Sequence, residues 1–326
     1  MRTVQWLSAL LVQITCILSF TRAAHAENLI DRQSRVWQPP AEALEIPLWP
    51  KGPPSPSTLK AGRESYGFGS KQIAGRPYVA VEFVSRPTMS IFRPHGKDSG
   101  ATVVVFPGGG YRILAIDLEG TEICDWLTSK GITCVLLKYR VPGSGPYWNE
   151  ECNCRRIPDQ PYALQDAQRA IGLLRARAEE FGIDPRKIGV IGFSAGGHMA
   201  AEISNHTKRS YKAIDKADQQ SSRPDFAIAL YPGHLWKKPG LTLEPSIRIA
   251  ADCPPTLIVA ASDDPTDDPR HSLTYYLALQ QAKIPVEMHL YAHGGHAFAV
   301  RKTSDPVSHW PELAEKWMKS IGMLVE

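Results

Sequence analysis

The 326-residue sequence lacks the marks of several function classes. Beyond residue 26, no apolar run approaches the roughly 20 residues of a bilayer-spanning helix, so no stable membrane association is expected of the mature chain. No segment recurs at a fixed period, which excludes solenoids and propellers. The six cysteines hold no C-x2-C pair. Cys152-x-Cys154 is too closely spaced for a zinc knuckle and has no companion, so no metal is expected, and no organic cofactor motif is present. Lysine and arginine are scattered, without a basic stripe carrying interleaved aromatics, which excludes nucleic acid as a partner. What remains is an ordinary globular composition, 43% hydrophobic and 21% charged, sufficient for one large α/β domain.

The N-terminus reads as an export signal. Arg2 supplies a positive start, Leu7 to Phe20 an apolar stretch, and Ala24-His25-Ala26 a cleavage site, so residues 1–26 are expected to be removed and the protein to be periplasmic or secreted. Cleavage takes away Arg2 and Arg22 with no acidic residue, so the formal charge falls from +4 to +2. It also takes Cys16, and the five remaining cysteines leave at least one thiol without an intrachain partner. Cys124 and Cys134 read as buried thiols, with a bridge more natural in the 152–154 loop.

From residue 27 to about 75 the chain is rich in proline, as in Pro47-Leu48-Trp49-Pro50-Lys51-Gly52-Pro53-Pro54. Such a segment suits neither helix nor central strand. It is expected to wrap the surface of the domain formed by residues 76–326, anchored by Trp37, Leu48 and Trp49. Tyr78 to Val84 and Thr88 to Phe92 read as antiparallel strands with a turn near Arg86-Pro87. Six apolar, β-branched runs follow, at 101–106, 132–138, 187–191, 226–231, 256–261 and 286–291, alternating with helical stretches at 119–129, 161–181, 195–204 and 270–282. A last helix is expected over 311–321. This alternation predicts a mostly parallel central sheet with helices on both faces. Two antiparallel strands leading into it point to the α/β-hydrolase fold rather than to a dinucleotide-binding fold.

The strand at 187–191 runs directly into Gly192-Phe193-Ser194-Ala195-Gly196-Gly197. This is G-x-S-x-G between strand and helix, the context in which the serine becomes a nucleophile raised on a sharp, strained turn. After the strand at 101–106 comes Pro107-Gly108-Gly109-Gly110-Tyr111, a run in which backbone amides can turn toward a substrate carbonyl. Gly109 and Gly110, with Ala195 at the helix N-terminus, are the expected oxyanion donors. The acid and the base should both follow the serine. Four carboxylates crowd the loop Ser262-Asp263-Asp264-Pro265-Thr266-Asp267-Asp268. Asp264 fits best, with Asp263 and Asp267 as alternatives. The strand at 286–291 ends in Ala292-His293-Gly294-Gly295-His296, where His296 is the expected base, His293 its rival, and His289 a packing residue within the strand.

These motifs, together with Leu48-Trp49-Pro50, Tyr139-Arg140-Val141-Pro142 and Gly294-Gly295-His296, resemble those of bacterial acetyl xylan esterase and feruloyl esterase-like hydrolases of the α/β-hydrolase superfamily. The resemblance covers most of the mature chain. It implies a serine esterase that deacylates short esters of plant polysaccharide or small molecules, without metal or cofactor. Family members often carry glycine after the active histidine, where this chain has Ala297. The loop from Val141 to Pro161 would border the acyl or sugar site or form a surface excursion. A prolyl-oligopeptidase-type peptidase and a non-catalytic binding protein on the same scaffold are the alternatives at this level.

Overall fold

The computed structural model describes residues 31–33, 36–54, 62–69, 71–143, 148–149, 154–155, 161–206 and 208–324. The expected signal segment, Cys152 and most of the loop between Val141 and Pro161 lie outside the described residues.

Eight strands form the central sheet: β1 (Leu44–Pro47), β2 (Thr88–Phe92), β3 (Thr102–Phe106), β4 (Thr133–Lys138), β5 (Ile188–Phe193), β6 (Ala227–Leu230), β7 (Thr256–Ala261) and β8 (Val286–Tyr291). Their spatial order is β1-β2-β4-β3-β5-β6-β7-β8, with β2 antiparallel to both its neighbours and every pair from β4 to β8 parallel. The runs β3, β4, β5, β6 and β7 are buried along their whole length, as strands covered on both faces must be. The helices α1 (Glu122–Ser129), α2 (Pro161–Ala176), α3 (Ala178–Phe181), α4 (Ala195–Asn205), α5 (Arg270–Gln281) and α6 (Trp310–Ser320) connect and cover them. This is the α/β-hydrolase arrangement that the alternation predicts.

Four local expectations change. The segments around 79–82 and 88–92 are not a hairpin. Val79–Glu82 pairs with Ser65–Phe68 and Ile113–Ala115 in a separate four-stranded sheet, whereas β2 pairs with β1 and β4. Phe83, at φ 58°, breaks the strand, and the chain crosses from one sheet to the other before Thr88. Regular structure therefore begins earlier than the proline content suggests, because the stretch Ser65–Phe68 is free of proline. The 119–129 helix opens with a π-helical turn, Asp117–Thr121, in which Glu119 leaves helical geometry at φ −111°, ψ 17°. The 161–181 helix divides at Arg177, whose φ of −116° and ψ of 24° end α2 and start α3.

Cys124 and Cys134 are not free thiols but a disulfide, with their Cα atoms 5.2 Å apart. Helix α1 turns straight back into β4, which lays the two buried cysteines against each other. Cys253 is a free, buried thiol, and burial pushes it up to about 12, which leaves it unreactive as a nucleophile.

The proline-rich segment supplies only the edge strand β1 to the main sheet. Trp37, Leu48 and Trp49 are buried as expected. The indole N–H of Trp49 donates to Asp166 Oδ1 at 2.7 Å, and the same carboxylate receives the Arg140 guanidinium at 2.8–3.0 Å. This buried cluster connects the Leu48-Trp49-Pro50 and Tyr139-Arg140 motifs, which are distant in sequence, and pins the segment to α2.

Candidate active site

Ser194 stands at the junction of β5 and α4 with φ 53° and ψ −117°, a conformation that costs about 1–3 kcal/mol for a residue with a side chain. Only glycine fits on either side. A Cβ on Gly192 would collide with the Gly196 carbonyl, and one on Gly196 with the Phe106 carbonyl. The spacing of the motif is thus a packing requirement of a turn this tight, and the turn presents Ser194 at the C-terminal edge of the sheet, where loops from several strands converge.

Two of those loops bring the other expected residues to it. His296 Nε2 lies 3.1 Å from Ser194 Oγ, and His296 Nδ1 lies 2.7 Å from Asp264 Oδ2. The other Asp264 oxygen accepts the backbone amides of Thr266 and Asp267 at 2.8 and 2.9 Å. Its side chain is 1% exposed, so its charge is held by three donors away from water. Asp263 and the rival histidines are placed elsewhere. Asp263 pairs with His293 at 3.3 Å and accepts the Gly295 amide, well out in solvent. His289 pairs with Glu287 on its own strand. Asp268 accepts the Arg270 amide at the start of α5.

Burial alone lowers the basicity of the His296 imidazole. The Asp264 hydrogen bond and charge, with the charges of Asp267 and Glu119, outweigh it, and the pKa is raised above its ordinary 6.5. The imidazolium is therefore well accommodated, as a base that must take up and return a proton requires.

Gly109 and Gly110 adopt φ values of 128° and 62° in the loop after β3, which at Gly108 runs so close to Ser194 that a Cβ there would sit 2.9 Å from its Cβ. Among the described residues, the amides of Gly109, Gly110 and Ala195 have no protein acceptor. The loop is braced from below, since Tyr139 donates its hydroxyl to the Pro107 carbonyl at 2.6 Å.

Sequence reasoning missed two participants, Glu119 and Tyr231. Glu119, 2% exposed, accepts the Gly108 amide at 2.8 Å and the Tyr231 hydroxyl at 2.9 Å. Burial raises its pKa, against the His296 charge and those two hydrogen bonds. The Tyr231 ring packs edge-on against His296 with centroids 4.9 Å apart, and its oxygen also accepts the Ala299 amide at 3.3 Å. Glu119 and Tyr231 thereby join the glycine loop to the histidine loop. Tyr231 was detectable as the last polar residue of a strand at the sheet's functional edge; Glu119 carried no local signal. Asp267, weighed in the sequence as an alternative acid, does not meet His296 Nδ1; its Oδ2 instead lies 3.2 Å from Ser194 Oγ. Beside the serine, the Tyr111 hydroxyl meets His198 Nδ1 at 2.7 Å. Desolvation, with the charges of His234, His271 and His206, holds His198 down to about 3, so it stays neutral. Among the described residues, no group of three or more His, Cys, Asp or Glu side chains is placed to hold a metal ion.

The arrangement of an alcohol, an imidazole and a carboxylate beside unpaired amides suits acyl transfer, and comparison with known proteins agrees. The BD-FAE family model matches residues 89–231. The acetylxylan esterase of Xylanibacter ruminicola is 28% identical over 246 residues, covering 68% of this chain and 46% of that protein. Endo-1,4-beta-xylanase B of Butyrivibrio fibrisolvens is 24% identical over 311 residues, covering 86% of this chain and 43% of that protein. The chain thus spans less than half the length of these two relatives. Among solved structures, an acetyl ester-xyloside bifunctional hydrolase from Caldicellulosiruptor lactoaceticus is similar at TM-score 0.63 and 31% identity, over 74% of this chain and 90% of that one. With the motifs, the strand order and these likenesses in agreement, the chain belongs to the BD-FAE family of α/β-hydrolases.

Proposed function

We propose that this chain is a serine carboxylic-ester hydrolase that works through Ser194, His296 and Asp264 and removes short acyl groups, acetyl above all, from xylan or related carbohydrate esters. The observation that carries the reading is the continuous relay from Ser194 Oγ through both nitrogens of His296 to Asp264. The carbohydrate ester follows from the likeness to proteins named for acetylxylan and acetyl ester-xyloside hydrolysis. Expected export fits a polymeric substrate outside the cell.

In this mechanism Ser194 Oγ bonds to the acyl carbon while its proton passes to His296 Nε2. The carbonyl π electrons move to the oxygen, which the amides of Gly109, Gly110 and Ala195 stabilise; loss of one such donor costs about 3 kcal/mol of barrier. The C–O bond to the alcohol then breaks, and His296 returns the proton to the departing oxygen. Water repeats the sequence on the acyl-enzyme, deprotonated by His296, and frees the acid and Ser194. Asp264 fixes the imidazole tautomer and faces its positive charge throughout. The buried Asp264 and the Glu119–Tyr231 pair behind the His296 loop are already in place, so little reorganisation accompanies each step.

Ser194→Ala should abolish hydrolysis of p-nitrophenyl acetate and labelling by a fluorophosphonate probe while the protein stays folded. Retained turnover in the folded variant would refute the assignment. Acetate release from acetylated xylan, compared with feruloylated oligosaccharides and a peptide panel, tests the substrate class.

A further inference from the structure

The carboxylate of Asp267 has no part in the relay, yet it stands at the reacting atoms. Its Oδ2 is 3.2 Å from Ser194 Oγ and 3.9 Å from His296 Nε2, and its side chain is 17% exposed. It is held there. Its backbone amide donates to Asp264 Oδ1 at 2.9 Å, and its carboxylate packs so closely on Gly233 that a Cβ there would sit 2.6 Å from Oδ1. The Gly233 amide in turn faces the Ser194 carbonyl at 3.4 Å.

Two physical difficulties follow. A serine hydroxyl carries a single proton, and an anionic acceptor at Asp267 competes for it with the neutral His296 Nε2 that must receive it. A negative charge this close also opposes the negative charge that develops on the substrate during attack. Both difficulties ease when another donor hydrogen-bonds to Asp267, which keeps its charge but pulls less on the Ser194 proton and is better compensated. The departing alcohol oxygen has to lie next to His296 Nε2 in order to collect its proton, which places the carbon bearing it beside Asp267. A hydroxyl on the adjacent carbon then falls within hydrogen-bonding reach of Oδ2. By donating there it occupies the acceptor and frees the Ser194 proton to turn toward His296.

Building on the proposed hydrolase reading, we infer that Asp267 is a specificity residue that selects esters whose alcohol half carries a free hydroxyl vicinal to the ester, by accepting that hydroxyl's hydrogen bond and releasing Ser194 to its base. Hydrogen bonds to charged groups discriminate more strongly than neutral ones.

Three probes isolate this contact: trans-1,2-cyclohexanediol monoacetate, its 2-methyl ether and cyclohexyl acetate, each followed by acetate release. The wild type should prefer the diol monoacetate by about tenfold or more in kcat/KM, and treat the methyl ether like cyclohexyl acetate. Asp267→Asn, which is nearly isosteric, should shrink that preference severalfold, and Asp267→Ala should remove it; a thermal melt of each variant verifies the fold. A wild type indifferent to the hydroxyl, a methyl ether as good as the diol, or a preference that persists in Asp267→Ala overturns the inference while leaving the hydrolase reading intact. A folded wild type that cleaves none of the three and no p-nitrophenyl acetate overturns both.

Discussion

Glu119→Gln is the most informative perturbation of the scaffold around the site. The carboxylate is 2% exposed and accepts two donors, the Gly108 amide and the Tyr231 hydroxyl. Glutamine has nearly the same shape but offers one acceptor and one donor in place of two acceptors. Its carbonyl keeps the Gly108 amide, and its NH2 then faces the Tyr231 hydroxyl. That oxygen can accept it, beside the Ala299 amide, but the hydroxyl's own proton loses its partner in a site without water access. A buried unsatisfied donor costs about 1–3 kcal/mol, so the midpoint of urea unfolding should fall by that equivalent. The catalytic effect is separate. The glycine loop and the histidine loop would no longer be tied to one rigid acceptor, and small misplacement of either can cost as much as about 100-fold in rate. The expected result is a kcat for p-nitrophenyl acetate reduced about 10- to 100-fold with KM changed far less. A third readout separates positioning from general damage. Removing a negative charge that favours the His296 imidazolium lowers the imidazole pKa, so the acid limb of kcat/KM should move to lower pH. Wild-type kcat, or an acid limb that stays in place in a folded variant, would refute the reasoning.

Further outcomes are expected. Asp264→Asn should lower kcat/KM about 10³- to 10⁴-fold, because an amide facing Nδ1 favours the wrong tautomer. In the wild type, kcat/KM should decline as pH falls through a value above 6.5, since His296 must be neutral to act and its pKa is raised; a limb centred below 6.5 would contradict the geometry. The same shift has the opposite sense for stability: protonated His296 favours the folded state, fully below about 6.5, and this contribution is lost as pH rises through the raised value. Reducing the Cys124–Cys134 disulfide, which closes a loop of sequence separation 10, should destabilise the protein by about 2–3 kcal/mol, measured as paired denaturation curves with and without reductant.

Ser194, the glycine loop and His296 were legible because each rests on local chain grammar. A turn as tight as that at Ser194 demands glycine at 192 and 196 whatever lies beyond it. Burial of β3, β5 and β7 on both faces likewise wrote itself into continuous apolar runs. The choice among Asp263, Asp264 and Asp267 was not legible to the same degree. Three carboxylates on one loop differ only in which way the backbone aims them, and the structure aims one at His296 Nδ1, one at Ser194 and one at His293. Glu119 was invisible because a single acidic residue at a helix start is ordinarily a solvated one, and its two donors come from residues 11 and 112 positions away.

The sequence by itself determined the parallel sheet, the strained serine turn and the order of serine, carboxylate and histidine, since these depend on periodicity and on close approaches only glycine permits. Tertiary structure decided the partners: that Val79–Glu82 and Thr88–Phe92 belong to different sheets, that Cys124 meets Cys134, and that Glu119, Tyr231 and Asp267 surround the reacting atoms. Contacts between residues far apart in the chain form only when whole elements pack, and no local pattern records which surfaces will face each other.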